Sequence, residues 1–258
     1  MTHPAIWGPE HAAAFDDAEV AQLYRHRPPY AHGAIDFIAQ LVDPACQRVL
    51  DLGAGTGNVA RSLAGRVAAI DAVEPSASMI AAGQALPDGT HPDLRWIPGT
   101  AEAAPLRPPY GLATAGASMH WMDWNVVLPR IASALTPTAH LVLLDIVDSW
   151  AADERFINVI ARYSVYRGSW QKHVLVDELT KRGLFSKTGQ RTFREPVRQR
   201  AADYVASFHA HSSLTIARIG AEKAQTFDEE IAALLTPDAQ GFVMRDASTD
   251  VTWGKALG

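Results

Sequence analysis

The sequence predicts an α/β fold built on a doubly wound parallel sheet. Three observations carry that reading. Apolar runs of strand length alternate with helically spaced runs between residues 48 and 147. The first run ends in a glycine cluster, Gly53, Gly55 and Gly57, and the second ends in an acid, Glu74. Strands that alternate with helices need crossovers, and crossovers place helices on both faces of a parallel sheet.

The elements follow in order. Phe15, Val20, Leu23 and Tyr24 recur near helical spacing, as do Ile35, Phe37, Ile38 and Leu41. Arg27-Pro28-Pro29-Tyr30 separates these two helices, because proline cannot continue a helix interior. Residues 1–42 therefore read as a helical lid. Residues 48–52 form the first buried strand, Gly53–Asn58 a turn, and Val59–Leu63 a helix stopping near Gly65. Val67–Val73 is the second strand. Ser76 is a natural N-cap for a helix over Ala77–Ala85. Leu94–Ile97, Leu112–Ala117 and His140–Val147 are the next strands, with a helix over Trp124–Leu135 before the last of them. Residues 43–147 are thus the ligand-binding core. Beyond Asp148 the pattern changes. Residues 153–183 read as two helices, 184–195 as a strand, 201–235 as helix and 242–253 as a last strand-like run. The 148–258 region is expected to cover the core's ligand edge within one domain.

Composition narrows the function. The chain has 258 residues, 48% of them hydrophobic and 20% charged, enough for a full core. Lys plus Arg is 23 against 28 for Asp plus Glu, a net charge of −5. No basic excess is present for gripping nucleic acid by its phosphates. Arg107-Pro108-Pro109-Tyr110 precedes a strand and begins with Arg, so it lacks the side-chain amide of nucleic-acid amino-methylating sites. No run of roughly 18 apolar residues points to a membrane span, and Met1-Thr2-His3-Pro4 does not open a secretion signal. The one cysteine, Cys46, cannot pair internally, which fits a reducing compartment. The cytoplasm is the expected location, and the oligomeric state stays open.

The glycine turn carries the chemistry. In Val49-Leu50-Asp51-Leu52-Gly53-Ala54-Gly55-Thr56-Gly57-Asn58 the glycines let the backbone turn sharply and approach a ligand. Glu74 closes the second strand about 20 residues on, where a carboxylate can accept both hydroxyls of a ribose. The pair reads as an adenosine-nucleoside site. A dinucleotide fingerprint needs its third glycine at position 58, which is Asn58.

The resulting G-x-G-x-G, with Asp51 two residues before it, resembles motif I of the class I S-adenosylmethionine (SAM) dependent methyltransferases. Val73-Glu74-Pro75-Ser76-Ala77-Ser78-Met79 looks like their post-strand-two motif. Pro98-Gly99-Thr100-Ala101-Glu102 looks like their motif after strand three. Ala117-Ser118-Met119-His120-Trp121 and Tyr24-Arg25-His26-Arg27-Pro28-Pro29-Tyr30 resemble a small-molecule branch of that family. The resemblance covers residues 14–147. It implies a Rossmann-like sheet of seven mostly parallel strands, the last antiparallel, with a helical cap. It also implies SAM as cofactor, S-adenosylhomocysteine (SAH) as product, no metal, and methyl transfer to an oxygen, nitrogen or carbon of a small-molecule acceptor; a non-methylating enzyme on the same fold and a regulatory protein that binds SAM or SAH are the alternatives. The cofactor set it implies is Tyr24, Arg27, Asp51, Gly53, Ala54, Gly55, Thr56, Gly57, Glu74, Pro75, Met79, Thr100, Ala101, Glu102, Ala117, Ser118, His120 and Trp121. Within it Glu74 would hold the ribose, Met79 would flank the adenine, and Thr100, Ala101 and Glu102 would read its amino group. His120 is the candidate general base, or it shapes the methyl end of the pocket.

Substrate-lining candidates are Tyr30, Trp150, Tyr166, Trp170 and His209. His209-Ala210-His211 makes a poor metal pair, because ligands two apart diverge on a helix. Arg191, Arg194, Arg198 and Arg200 read as a solvated basic face. Two departures from the family pattern stand out. Gly111 replaces the acid that opens strand four, which predicts a looser loop after that strand. Thr136-Pro137-Thr138-Ala139 replaces a Pro-Gly-Gly turn, with little expected effect.

Overall fold

The computed structural model describes residues 13–166 and 175–257. Trp170 lies outside the described residues. Seven strands make one sheet: β1 (Arg48–Leu52), β2 (Ala69–Glu74), β3 (Leu94–Pro98), β4 (Tyr110–Gly116), β5 (Leu135–Asp148), β6 (Phe185–Arg200) and β7 (Phe242–Ala256). Their order is β3-β2-β1-β4-β5-β7-β6. The first five are parallel, and β7 runs antiparallel to both β5 and β6. The order reverses between β1 and β4, and ligands of open α/β sheets bind at the carboxyl ends of strands flanking such a reversal.

The helices are α1 (Ala18–Leu23), α2 (His32–Gln40), α3 (Asn58–Leu63), α4 (Ala77–Gln84), α5 (Trp124–Ala134), α6 (Glu154–Tyr163), α7 (Leu175–Lys181), α8 (Ala201–Ser207), α9 (Ile216–Ile219) and α10 (Ala221–Ala233). Central strands are buried on both faces, so they are continuous apolar runs. Val49, Ile70, Leu112 and Val142 meet Ile35 and Ile38 of α2 and Val59 and Leu63 of α3. Leu50, Leu52, Ala113 and Leu143 meet Trp124, Leu128 and Ile131 of α5 and Leu179 of α7. Among the described residues no helix is long and apolar enough to cross a membrane.

Tyr110 explains the Arg-Pro-Pro-Tyr run. It starts β4 earlier than expected and is fully buried. Its hydroxyl donates to Asp71 Oδ2 at 2.6 Å and accepts the Arg107 N–H at 2.8 Å. Arg95 grips the same carboxylate with two bonds of 2.7 and 2.8 Å. Gly111 is also structural, and the expectation of a looser strand-four loop is corrected. It lies at the opposite end of β4 from that loop, and a Cβ there would sit 1.8 Å from the Cys46 carbonyl oxygen. Thr136 and Thr138 replace a glycine turn with a clamp, both hydroxyls donating to Asp43 Oδ2 at 2.6 and 2.5 Å.

The cap has its own core, in which Phe156 and Ile160 of α6, Tyr204 and Phe208, and Phe227 and Ile231 of α10 pack together. Residues 201–235 do not form one helix. The chain breaks after a 3-10 turn at Phe208–Ala210, with His211 and Thr215 extended. Ser212 and Ser213 sit in that break, where hydroxyls compete with helical hydrogen bonding. β6 runs five residues past its expected end, through Pro196. Proline is excluded from central strands, but β6 is an edge.

Candidate active site

The glycine turn follows β1 directly. Gly53, Gly55 and Gly57 have φ of 62°, 58° and 78°, a region that costs other residues strain. Each is also packed for its size. A Cβ on Gly53 would lie 2.6 Å from Ser118 Cβ, and one on Gly57 would lie 2.8 Å from the Trp96 ring. A Cβ on Gly55 would meet Tyr24 alone, at 3.9 Å, so the lid tyrosine covers the turn. Asn58, where a dinucleotide site has glycine, accepts a bond from Arg61 at 3.1 Å.

Two buried carboxylates flank the turn. Glu74 at the end of β2 accepts the Gly55 N–H at 2.7 Å on Oε2 and the Ser76 N–H at 2.9 Å on Oε1. Burial raises its pKa against those two bonds. Asp51 is 1% exposed, and its Oδ1 accepts the Thr114 hydroxyl at 2.7 Å from the paired residue on β4. Its Oδ2 is buried with no hydrogen-bond partner. Burial pushes the Asp51 carboxyl up to about 7, with the Thr114 hydroxyl and the Ala60 N–H opposing. A buried carboxylate oxygen without a donor is costly, and a cationic amine would supply the missing bond. That orphaned oxygen fits the residues to a nucleoside carrying an amino-acid tail, as SAM does.

The turn after β4 faces this one. Ala117 has φ of 49°, a conformation costing roughly 1–3 kcal/mol for a non-glycine residue. Ser118 donates to the Leu52 carbonyl at 2.6 Å, so it braces the β1 turn and its hydroxyl is spent there. His120 stacks on Trp121 at 4.2 Å between centroids, and burial pushes its imidazole down to about 4. The Tyr30 hydroxyl reaches Gly116, where a Cβ would lie 2.5 Å from it. Burial, then Tyr24, Asp145 and Asp51, hold the Tyr30 proton well above the ordinary phenol range.

The lid closes over these groups. Ser76 and Ser78 donate to the carbonyls of Phe15 and Asp16 at 2.8 and 2.9 Å. Phe15 packs edge-on against Tyr24 and Trp121. Arg27 lies over the Tyr24 ring at 5.6 Å, with its Nη1 3.1 and 3.2 Å from the ring nitrogens of His211.

Several expected site residues stand elsewhere. Met79 is 1% exposed and packed on Val20 and Ala21 of α1, so the lid covers it in place of a ligand. Pro75 is exposed. Glu102 accepts the Asp123 N–H at 2.8 Å, and Arg130 binds the carbonyls of Ala101, Glu102 and Ala104. These bonds hold the 100–104 turn and draw the Glu102 side chain toward α5, while Thr100 stays exposed. His209, expected among the substrate residues, is instead a brace. Its Nδ1 meets the Leu214 carbonyl at 2.7 Å and its Nε2 meets Asp228 at 2.9 Å, deep in the cap. Tyr166 accepts a bond from Arg218 at 2.7 Å, and Trp150 packs on Phe208 and His211 at the cap's inner edge. Among the described residues no group of three or more His, Cys, Asp or Glu is placed to hold a metal ion. Two residues at the site were missed as site residues, His211 and Asp145. Asp145 carries a sequence signal, since it is the acid that interrupts the apolar run His140–Val147.

The fold these strands and turns define is that of the class I methyltransferases. Residues 49–138 match a family described as a methyltransferase domain. A candidate type II methyltransferase of Anaeromyxobacter dehalogenans shares the fold with a TM-score of 0.68 at 21% identity, over 90% of this chain and 98% of that one. In sequence, 126 residues are 35% identical to an uncharacterized methyltransferase of Mycobacterium tuberculosis, covering 48% of this chain and 49% of that protein. Another 32% identity over 137 residues links the chain to the trans-aconitate 2-methyltransferase of Mycobacterium ulcerans, over 48% of this chain and 45% of that one. The chain spans about half the length of the curated relatives it matches.

Proposed function

We propose that the protein transfers a methyl group from SAM to a small-molecule acceptor. The observation that supports this best is the pairing of an orphaned Asp51 oxygen with a Glu74 carboxylate clamped on the Gly55 N–H. One suits a cationic amine and the other a ribose diol, on the two sides of one glycine turn. SAM, when bound, supplies an electrophilic methyl group on a positively charged sulfur.

The chain's own residues supply alignment and exclusion of water. Gly53, Ala54, Gly55, Thr56 and Gly57 present backbone to the nucleoside, and Glu74 holds the ribose. Thr100 and the Ala101 backbone take the adenine edge. Asp51 receives the amine, and Tyr24 and Arg27 close over the tail and its carboxylate. Aligning nucleophile, methyl and sulfur is a proximity effect worth several kcal/mol. His120, neutral at pH 7 with a pKa near 4, is too weak a base to hold a proton there. It shapes the methyl end of the pocket with Trp121. Tyr30 keeps its proton and offers a donor beside Gly116, while Trp150 and Tyr166 stand toward the acceptor side. Relatives named trans-aconitate 2-methyltransferase and ubiquinone biosynthesis O-methyltransferase support a small organic acceptor. A reducing, cytoplasmic setting belongs to the same proposal, since Cys46 has no second cysteine to pair with.

Calorimetric titration with SAM and then SAH tests the reading. Micromolar binding is expected, weakened about 100-fold by Glu74→Ala, which removes two charge-assisted acceptors. A folded protein that binds neither compound overturns it.

A further inference from the structure

The turn that carries Tyr24 and Arg27 is tied to the sheet by one side chain, Gln199, near the end of β6. Its Nε2 donates to the His26 carbonyl at 2.8 Å, across 173 positions of sequence. Its Oε1 accepts from Arg245 Nη2 at 2.5 Å. A guanidinium only donates and a carbonyl only accepts, so the two partners fix the amide in one orientation. Arg245 is held in turn by Asp148 and lies over the Tyr204 ring at 4.5 Å. These three side chains share one face of the sheet as diagonal neighbours, since Asp148 pairs with Ala247 and Gln199 with Val243. A line of bonds therefore crosses β5, β7 and β6 and ends on the lid.

The His26 carbonyl and the Arg27 N–H belong to one planar peptide. That N–H donates to the Tyr24 carbonyl at 3.1 Å, closing the 3-10 turn, and Gln199 holds the other side of the plane. Among the described residues no other hydrogen bond reaches the backbone of residues 24–27 from outside the lid. Both groups that the lid sends over the site hang on this turn. Tyr24 covers Gly55, and the Arg27 guanidinium lies against the rings of Tyr24 and His211. Among the described residues Arg27 makes no ion pair with a carboxylate, unlike Arg95, Arg198 and Arg245.

We propose that Gln199 is a positioning residue of the cofactor site: by holding the His26 carbonyl it sets the Arg27 guanidinium over the carboxylate of the bound amino-acid tail. The inference rests on the reading of the site as a SAM site. It makes the grip on the tail depend on β6, the edge strand farthest from β1 and its glycine turn.

The test is calorimetric titration with SAH and with 5′-methylthioadenosine, which keeps the nucleoside and lacks the amino-acid tail. The proteins are the wild type, Gln199→Glu, Gln199→Met, Arg27→Gln and the double variant Gln199→Glu with Arg27→Gln, each with a thermal melt. Glu keeps the acceptor for Arg245 and loses the donor to His26. Gln199→Glu is therefore expected to melt no lower than the wild type and to bind SAH about tenfold more weakly. Its affinity for methylthioadenosine should stay within about twofold of the wild type, because that ligand has no carboxylate for Arg27. Gln199→Met loses both bonds, so it should match the loss of SAH affinity and also melt lower. The double variant should bind SAH no more weakly than Arg27→Gln alone, since residues that act through one contact are not additive. Wild-type SAH affinity in both Gln199 variants overturns the proposal. An equal loss for the two ligands, or losses that add in the double variant, overturns it as well, because Gln199 would then be a structural tie with no part in placing Arg27. A wild type that binds neither ligand removes the underlying SAM reading instead, so the two failures are distinct.

Discussion

The half of the sheet around β1, β2 and β4 and the cap beyond β5 treat polar groups in opposite ways. Around the glycine turn, backbone groups do most of the holding. Asp51 keeps a bare buried oxygen, Ala117 holds a left-handed backbone, and Glu74 is gripped by backbone N–H groups alone. In the cap, polar side chains are bonded to one another. Asp148 pairs with Arg245, whose Nη2 also reaches Gln199 at 2.5 Å while its buried Nε has no hydrogen-bond partner, and Tyr204 lies 4.5 Å beneath that guanidinium. His209 spans Leu214 and Asp228, and Tyr163 donates to Glu230 at 2.6 Å. The first region sets its acids beside a strained backbone turn. The second uses side chains to hold a cover in place.

Substitutions can break or sharpen that contrast. Arg245→Ala strips a buried charge from its partner, and is expected to cost about 3–5 kcal/mol in urea unfolding. If the cap is held by that pair, the loss appears with a separate early transition and the sheet melts later. A single unshifted transition would erase the contrast. Gly53→Ala forces a Cβ into Ser118 at a φ of 62°, and about 2–3 kcal/mol should be lost. SAH affinity, followed by calorimetry, should fall with it, since the Ser118 brace and the turn move together.

Asp51→Asn should act in the other direction. The Asp51 carboxyl titrates at about 7 when folded and at about 3.9 when unfolded. Between those values the folded chain keeps a proton that the unfolded chain has lost. The contribution to stability is complete below the lower value and lost as pH rises through the upper one. At pH 8 the amide is therefore expected to stabilise the fold by roughly 1–3 kcal/mol while weakening SAH binding. Equal stability of the two proteins at pH 8, by urea titration, would show that the buried carboxylate carries no such cost. The smallest effect belongs to His120→Gln. Because the imidazole is neutral above pH 6, the pH dependence of SAH binding there should be unchanged, with affinity within about threefold by the same calorimetry.

Legibility follows the same divide. The glycine turn, Glu74 and the Ser76 cap are set by residues within a few positions, so the sequence displays them. Strands β1, β2 and β4 show as apolar runs because each is buried on both faces. The cap does not show, since its bonds join residues far apart. Nothing near His211 in sequence announces Arg27, and nothing near Asp148 announces Arg245. Pro196 concealed the length of β6, because tolerance for proline depends on lying at the edge, which is a property of the whole sheet. His209 looked like a ligand residue by its chemistry and proved to be a brace by its neighbours.

The position of β7 has a consequence for synthesis. It lies between β5 and β6, yet it follows both in the chain. Until it emerges from the ribosome, β5 has one bare edge and β6 has no neighbour at all. The glycine turn and Glu74 can meet while that edge is still open. The nascent protein thus brings the residues of its candidate site together early, and spends the remaining interval with a long strand edge exposed to aggregation. The insertion of β7 brings Arg245 to Asp148 and joins β6 to the sheet.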